Sequence, residues 1–228
     1  MDERFPDEFI TWQHKTFVGI KVDEIFGMDS KTGKVWNELA RQIFCEQSEN
    51  YRIIEHYYTG APYISGYQGR ISLTHTSHFF AVAFLPKTPE QNLEIFNPRT
   101  AMGIDAEPFD RSQVLKVRNK FLSEKELTLI KPDNLKENVI AWTAKEALYK
   151  AALTPGIDYI NSLVINKLPI VVEEPMKGSN DALGEAMILL PSENGVIPQE
   201  MTLFSYQSYG CCVTLAFSPK CAKFGKSY

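Results

Sequence analysis

Glu146 stands where the chain should least accommodate a charge. The stretch Ile140 to Lys150 reads Ile-Ala-Trp-Thr-Ala-Lys-Glu-Ala-Leu-Tyr-Lys. Its Ala, Leu, Lys and Glu content favours a helix, and Pro155-Gly156 stops it. On that helix Val139, Trp142, Tyr149 and Leu153 follow the three-four spacing of one face, and Glu146 completes the series. A carboxylate inside an apolar stripe is costly unless it is paired or bound to a metal. Lys145 lies beside it and Lys150 one turn on. Two readings are open: an i,i+4 ion pair on a solvated face, or an acid and two cations gathered for chemistry.

Asp105 and Glu107 sit two apart in Met-Gly-Ile-Asp-Ala-Glu, a strand-like segment, so their carboxylates point to the same side. Met102, Ile104 and Ala106 supply the opposite, apolar face, and Gly103 lets another backbone or a ligand come close. Joined by Glu146, these acids make a three-carboxylate set. Oxygen ligands of that number suit a hard ion that keeps waters and a phosphate, Mg²⁺ before Zn²⁺. The alternative is that Asp105 and Glu107 serve solubility on an edge strand. In Thr74-His75-Thr76, His75 shares a strand face with Ile71 and Leu73. It is either a hydrogen-bonded core histidine or, with the neighbouring hydroxyls, an anion contact.

The elements that must position these groups follow from periodicity. Strands are expected at Phe17 to Val22, Tyr51 to Tyr58, Ile71 to Ser77, His78 to Leu85 and Met102 to Glu107. A helix is expected from Val35 to about Glu46, with a turn at Gly60-Ala61-Pro62. Residues 91–100, a polar link holding Asn97-Pro98, are the expected junction between an N-terminal part, 1–100, and a C-terminal part, 101–228. A basic amphipathic helix is expected from Arg111 to Leu122, and Ser123-Glu-Lys-Glu126 offers a capping-box start to the next. Beyond Gly156 the pattern turns to strands at Ser162 to Ile165, Ile170 to Glu173, Ala186 to Leu190, Met201 to Tyr206 and Cys211 to Phe217. Turns are expected at Gly178 to Asp181 and Ser192 to Gly195. Phe80-Ala-Val-Ala-Phe84 and Val213-Thr-Leu-Ala-Phe217 echo one another, a weak sign of duplication.

A chain of 228 residues, 44% hydrophobic, buries a sizeable core in one large domain or two small ones. Its net charge of −4 gives no case for nucleic acid, and no run reaches the length of a membrane span. Cys45, Cys211, Cys212 and Cys221 form no C-x-x-C pair, which suits neither zinc nor a disulfide framework. A soluble cytoplasmic protein with reduced thiols is expected.

Taken in order, Thr-His-Thr (74–76), Met-Gly-Ile-Asp-Ala-Glu (102–107), Phe-Leu-Ser-x-x-Glu (121–126) and Trp-Thr-Ala-Lys-Glu-Ala-x-x-Lys (142–150) resemble the 4′-phosphopantetheinyl transferase superfamily. Length and layout resemble its single-chain, surfactin-synthetase-activating branch. The resemblance implies an α+β fold of two pseudo-symmetric lobes, each a helix packed on an antiparallel sheet, with coenzyme A between them. It implies that Asp105, Glu107 and Glu146 hold Mg²⁺. It further implies that Thr74, His75, Lys145 and Lys150 contact coenzyme A, and that Glu146 and Lys150 act in catalysis. The implied reaction moves phosphopantetheine from coenzyme A to a serine of an acyl or peptidyl carrier protein, and a single two-lobed chain completes the site as a monomer. The alternative is a non-catalytic relative that binds coenzyme A or a carrier as an accessory subunit. The family's Gly-Lys-Pro is Gly60-Ala61-Pro62 here, and its N-terminal basic motifs are not recognisable; Arg70, Lys31, Lys34 or Arg41 are the cations left to substitute. The partner is an acidic carrier protein. Residues 111–131 hold six basic residues against two acids, a local +4 in a chain of −4, with Arg111, Lys116, Arg118 and Lys120 as the expected docking cations.

Overall fold

In the computed structural model the described residues are 9–12, 15–21, 54–64, 69–76, 79–86, 101–173 and 180–218. The expected helix at 35–46, the junction at 91–100, Lys31, Lys34, Arg41, Cys45 and Cys221 lie outside them, as does the side chain of Arg70. Alternating and β-branched segments make three antiparallel arrays. The first sheet has the order β1 (Phe9–Trp12), β2 (Lys15–Lys21), β6 (Phe79–Pro86), β5 (Gly69–His75). A small hairpin pairs β3 (Ile54–His56) with β4 (Pro62–Ile64) around the turn at Gly60, whose φ of 82° suits glycine.

The second sheet runs β7 (Met102–Pro108), β12 (Cys211–Phe217), β11 (Gly195–Ser208), β10 (Gly184–Ser192), β8 (Leu163–Lys167). A two-residue strand, β9 (Val171–Val172), pairs parallel to β11 at Ser205 and Tyr206. The C-terminal strand expectations therefore hold, Cys211–Phe217 with the same ends and the others with ends shifted by one to six residues. Every residue of β12 is buried because sheet neighbours flank it and layers cover both its faces. On one face Met102, Ile104, Ala106, Val213, Leu215 and Phe217 pack against Phe79, Ala81 and Ala83 of the first sheet. The other face is covered by a long helix.

That helix, α3 (Leu135–Ala152), is entered at Asn134, whose side chain accepts the Glu137 amide proton, and it leaves through Leu153 in the left-handed region, φ 51°. Two short helices precede it, α1 (Gln113–Val117) and α2 (Glu124–Leu129). The expected helix from Arg111 to Leu122 is thus much shorter and tightens into a 3₁₀ turn at Arg118–Lys120. Arg118 donates from Nε to Asn138 Oδ1 (3.1 Å) and from Nη2 to the Ile130 carbonyl (2.7 Å), which ties this turn to the start of α3. The capping box at Ser123 and Glu126 forms with both reciprocal bonds.

The apolar stripe through Trp142, Tyr149 and Leu153 is not the most buried face of α3. Ala141, Ala144, Ala147, Leu148 and Ala151 carry the packing and are 0–2% exposed. Gly103 explains the choice of small residues. A Cβ there would lie 2.1 Å from the Ala147 carbonyl oxygen and 2.7 Å from the Ala151 nitrogen, so helix and strand touch backbone to backbone. The fold is α+β with antiparallel sheets and few helices among the described residues. No helix there is long and apolar enough to cross a membrane.

Candidate active site

Alternation along β7 turns Met102, Ile104 and Ala106 to the sheet–sheet core and leaves Asp105 and Glu107 on the side of α3. The two sheets meet at this strand without a backbone ladder. The Ile104 amide donates to Ser72 Oγ (3.0 Å) and the Ala106 amide to Thr74 Oγ1 (3.0 Å), both hydroxyls coming from β5. Thr74 Oγ1 in turn donates to Asp105 Oδ1 (3.1 Å). Thr74 is therefore buried, with its hydroxyl between β7 and Asp105.

Lys150 reaches the same point from α3. Its ammonium donates to Asp105 Oδ1 (2.7 Å) and to the carbonyls of Leu73 (3.1 Å) and Ile104 (3.0 Å). Three acceptors match its three donors. Asp105 Oδ1 thus takes two bonds, while Oδ2, buried, has no hydrogen-bond partner among the described residues. Glu107 Oε1 accepts from Trp142 Nε1 (2.9 Å) and from Arg111 Nη1, and the Arg111 guanidinium lies over the Trp142 ring at 5.8 Å. Trp142 also packs edge-on against Phe121, with centroids 5.0 Å apart. It both anchors the helix and holds a carboxylate.

Glu146 is half-buried between these groups. Burial, with the charges of Asp105 and Glu107, pushes its carboxyl above the usual carboxylate range, against the opposing pull of Lys150 and a hydrogen bond with the Tyr159 side chain. Tyr159 stacks on Tyr149 at 5.1 Å. Burial, then Glu146, raises the Tyr159 phenol in return. His75 lines the same opening with Asp105, Glu107, Arg111 and Lys150, and burial followed by the Lys150 charge lowers its pKa.

Lys145 is elsewhere. Its side chain is 0% exposed and pairs at 2.8 Å with Glu126, also 0% exposed. The ammonium further donates to the carbonyls of Tyr159 (2.9 Å) and Leu163. Glu126 accepts from the Ser123 amide (2.7 Å) and the Ile165 amide (2.7 Å). Burial lowers the Lys145 pKa and the Glu126 charge offsets part of that effect. Adjacent helical positions point about 100° apart, so Lys145 and Glu146 cannot share one face. Lys145 accordingly stands as a buried cation paired with Glu126.

Two cavities meet at Lys150. One of about 550 Å³ is lined by Thr74, His75, Asp105, Glu107, Arg111 and Lys150 among others. The other, of about 360 Å³, lies between the β3–β4 hairpin and the end of α3, with His56, Pro62, Ile71, Tyr149 and Leu153 in its wall. Leu73 and Lys150 belong to both.

As the side chains stand, no three His, Cys, Asp or Glu among the described residues are close enough together to hold an ion. The donor chemistry nevertheless fits a hard divalent cation. Among the described residues Asp105 Oδ2 is a buried oxygen without a hydrogen-bond partner, and Glu146 is pushed toward its neutral form first by burial and then by the Asp105 and Glu107 charges, negative charge that a cation relieves. Glu107 has both of its partners, Arg111 and Trp142, on Oε1.

Of the residues singled out by sequence, His75, Asp105, Glu107 and Lys150 line one cavity, and Glu146 is coupled electrostatically to Asp105, Lys150 and Glu107. Sequence reasoning missed Tyr159 and Ser72, which carry no motif, and the role of Glu126, whose motif position was visible but whose partner, 19 residues away, was not. The cysteines that are described, Cys211 and Cys212, are buried and free, with burial holding the Cys212 thiol up at about 11.

Among curated proteins none matches the chain in sequence. Family comparison singles out the stretch from β7 through β9, about a third of the chain, which contains Asp105, Glu107, Glu126, Glu146 and Lys150 but not Thr74 or His75. Residues 101–172 match the family model of the 4′-phosphopantetheinyl transferase superfamily.

Proposed function

We propose that the protein transfers 4′-phosphopantetheine from coenzyme A to a serine of an acyl or peptidyl carrier protein, with Mg²⁺ required. The observation that carries this reading is the matched segment, residues 101–172, whose Asp105, Glu107 and Lys150 border one cavity. In the reaction the serine oxygen attacks the β-phosphorus of coenzyme A. The bond from that phosphorus to the 3′,5′-ADP oxygen breaks, and the serine proton passes to a base. Positioning and charge neutralisation dominate such transfers.

Asp105, Glu107 and Glu146 would hold the ion, which supplies charge stabilisation to the pyrophosphate. Glu146 is the proposed base, since the causes that raise its pKa favour proton uptake. Lys150 contributes a fixed positive charge at the junction of the two cavities and donates a proton only by releasing one of its three acceptors. His75 is the proposed anion contact on the first sheet. Lys116 and Lys120 are exposed and available to an acidic partner, whereas Arg118 is committed to Asn138 and Ile130 and Arg111 to Glu107. A lobe boundary near residue 100, a monomer and a cytoplasmic setting complete the proposal.

The test is incubation with coenzyme A, Mg²⁺ and a panel of apo carrier proteins, read by mass spectrometry for the added phosphopantetheine. Loading of at least one carrier is expected. Folded protein that loads none refutes the catalytic reading. The full commitment of the Lys150 donors favours one other reading, an accessory subunit that binds coenzyme A or a carrier without turnover. Coenzyme A binding without transfer to any carrier would select it.

A further inference from the structure

We propose that Thr74 is a positioning residue for Asp105, setting which of its two oxygens is left for a divalent cation. The inference rests on the proposed metal role of Asp105. Its support is a chain of three bonds in which each group has one place. The Ala106 amide donates to Thr74 Oγ1 at 3.0 Å, which leaves the hydroxyl proton for Asp105 Oδ1 at 3.1 Å. Lys150 takes the same oxygen at 2.7 Å from the opposite element. With Oδ1 held from both sides, the carboxylate cannot rotate without breaking two bonds, and among the described residues Oδ2 is the oxygen without a partner. An oriented carboxylate whose other oxygen is already hydrogen-bonded is how outer groups tune a metal ligand.

A threonine methyl adds to this control. Thr74 is 4% exposed, and a β-branched residue on a strand has restricted χ1, so its hydroxyl is fixed by packing as well as by bonding. Ser72, two residues earlier on the same face, makes the equivalent bond to the Ile104 amide at 3.0 Å but touches no carboxylate. The pair separates two jobs. Both hydroxyls fasten the first sheet to β7; Thr74 alone aims an acid.

The experiment uses the full chain without coenzyme A and measures Mn²⁺ affinity by electron paramagnetic resonance, with thermal melting followed in parallel. Thr74→Val, which removes the hydroxyl and keeps the shape, is expected to weaken Mn²⁺ binding about tenfold. Thr74→Ser keeps the hydroxyl and is expected to stay within about threefold of the parent protein. Ser72→Ala is expected to lower the melting temperature and leave Mn²⁺ affinity unchanged. Parent-like affinity in Thr74→Val overturns the proposal. So does a tenfold loss in Thr74→Ser, a variant that decides the matter even where Thr74→Val does not fold. An equal loss in Ser72→Ala assigns the effect to the junction as a whole and overturns it as well. Mn²⁺ binding that Asp105→Ala leaves untouched removes the metal reading itself, a result distinct from the others.

Discussion

Replacing Lys145 by methionine separates a structural cation from a ligand contact. The side chain is wholly buried against an equally buried Glu126, at 2.8 Å. Truncating the ammonium leaves that carboxylate in the interior with its two amide donors, from Ser123 and Ile165, but no counter-charge. Breaking a buried pair by removing one partner costs about 3–5 kcal/mol. Two carbonyls, of Tyr159 and Leu163, also lose their donor, at roughly 1 kcal/mol each where water does not replace it. The pair alone, at about 4 kcal/mol and with the carbonyls taken up by water, is a large share of the roughly 5–15 kcal/mol that holds a domain folded. With a urea slope of about 2–3 kcal/mol/M, the midpoint should fall by about 1.5 M. The assay is equilibrium urea unfolding of the parent, Lys145→Met, Glu126→Gln and the double variant. The double variant should cost clearly less than the sum of the singles, because each single strands the other's partner. A Lys145→Met protein of parent-like stability that instead loses coenzyme A affinity would refute the reasoning and restore the phosphate-contact reading.

Glu146→Gln should lower carrier loading by roughly 10²–10⁴-fold, the usual worth of a positioned base, while the circular dichroism spectrum stays that of the parent. Gly103→Ala should destabilise by about 3 kcal/mol or more in urea unfolding, since the clash at 2.1 Å is with the backbone of α3 and neither element can yield. The depressed pKa of His75 works against acid: the unfolded chain binds its proton from about 6.5 downward and the folded protein only lower. Stability from the neutral imidazole is therefore whole above pH 6.5 and lost as pH falls to the folded pKa. His75→Asn should flatten that part of the stability–pH curve, and an unchanged difference between the two proteins from pH 7 to 5 would contradict the assignment.

The local rules read well from the sequence. Alternation predicted the two faces of β7 and hence the convergence of Asp105 and Glu107, and the Ser123–Glu126 capping box formed as its spacing required. Most of what escaped is non-local. Large aromatic side chains draw the apolar stripe to Trp142 and Tyr149, yet closeness to Gly103 makes Ala147 and Ala151 the contact residues of α3. Lys145 reads as one more cation near an acid because its counterion comes from another helix. Thr74 reads as a ligand contact because spacing along β5 says nothing of the strand in the next sheet that takes its hydroxyl. The basic segment after Arg111 reads as one helix because Arg118 looks like a solvated charge, whereas its guanidinium is bound to α3 and to the Ile130 carbonyl.

The hydroxyl junction between the sheets also gives the molecule a native clock. The amide protons of Ile104 and Ala106 end on side-chain oxygens, so they exchange with deuterium whenever the first sheet lifts from β7. The amides of β12, laddered on both sides, exchange only when the second sheet itself unfolds. The difference between the two rates measures the parting of the sheets in solution. A ligand that spans the two cavities across Lys150 slows Ile104 and Ala106 selectively, and so declares itself in a spectrum before any chemistry is assayed.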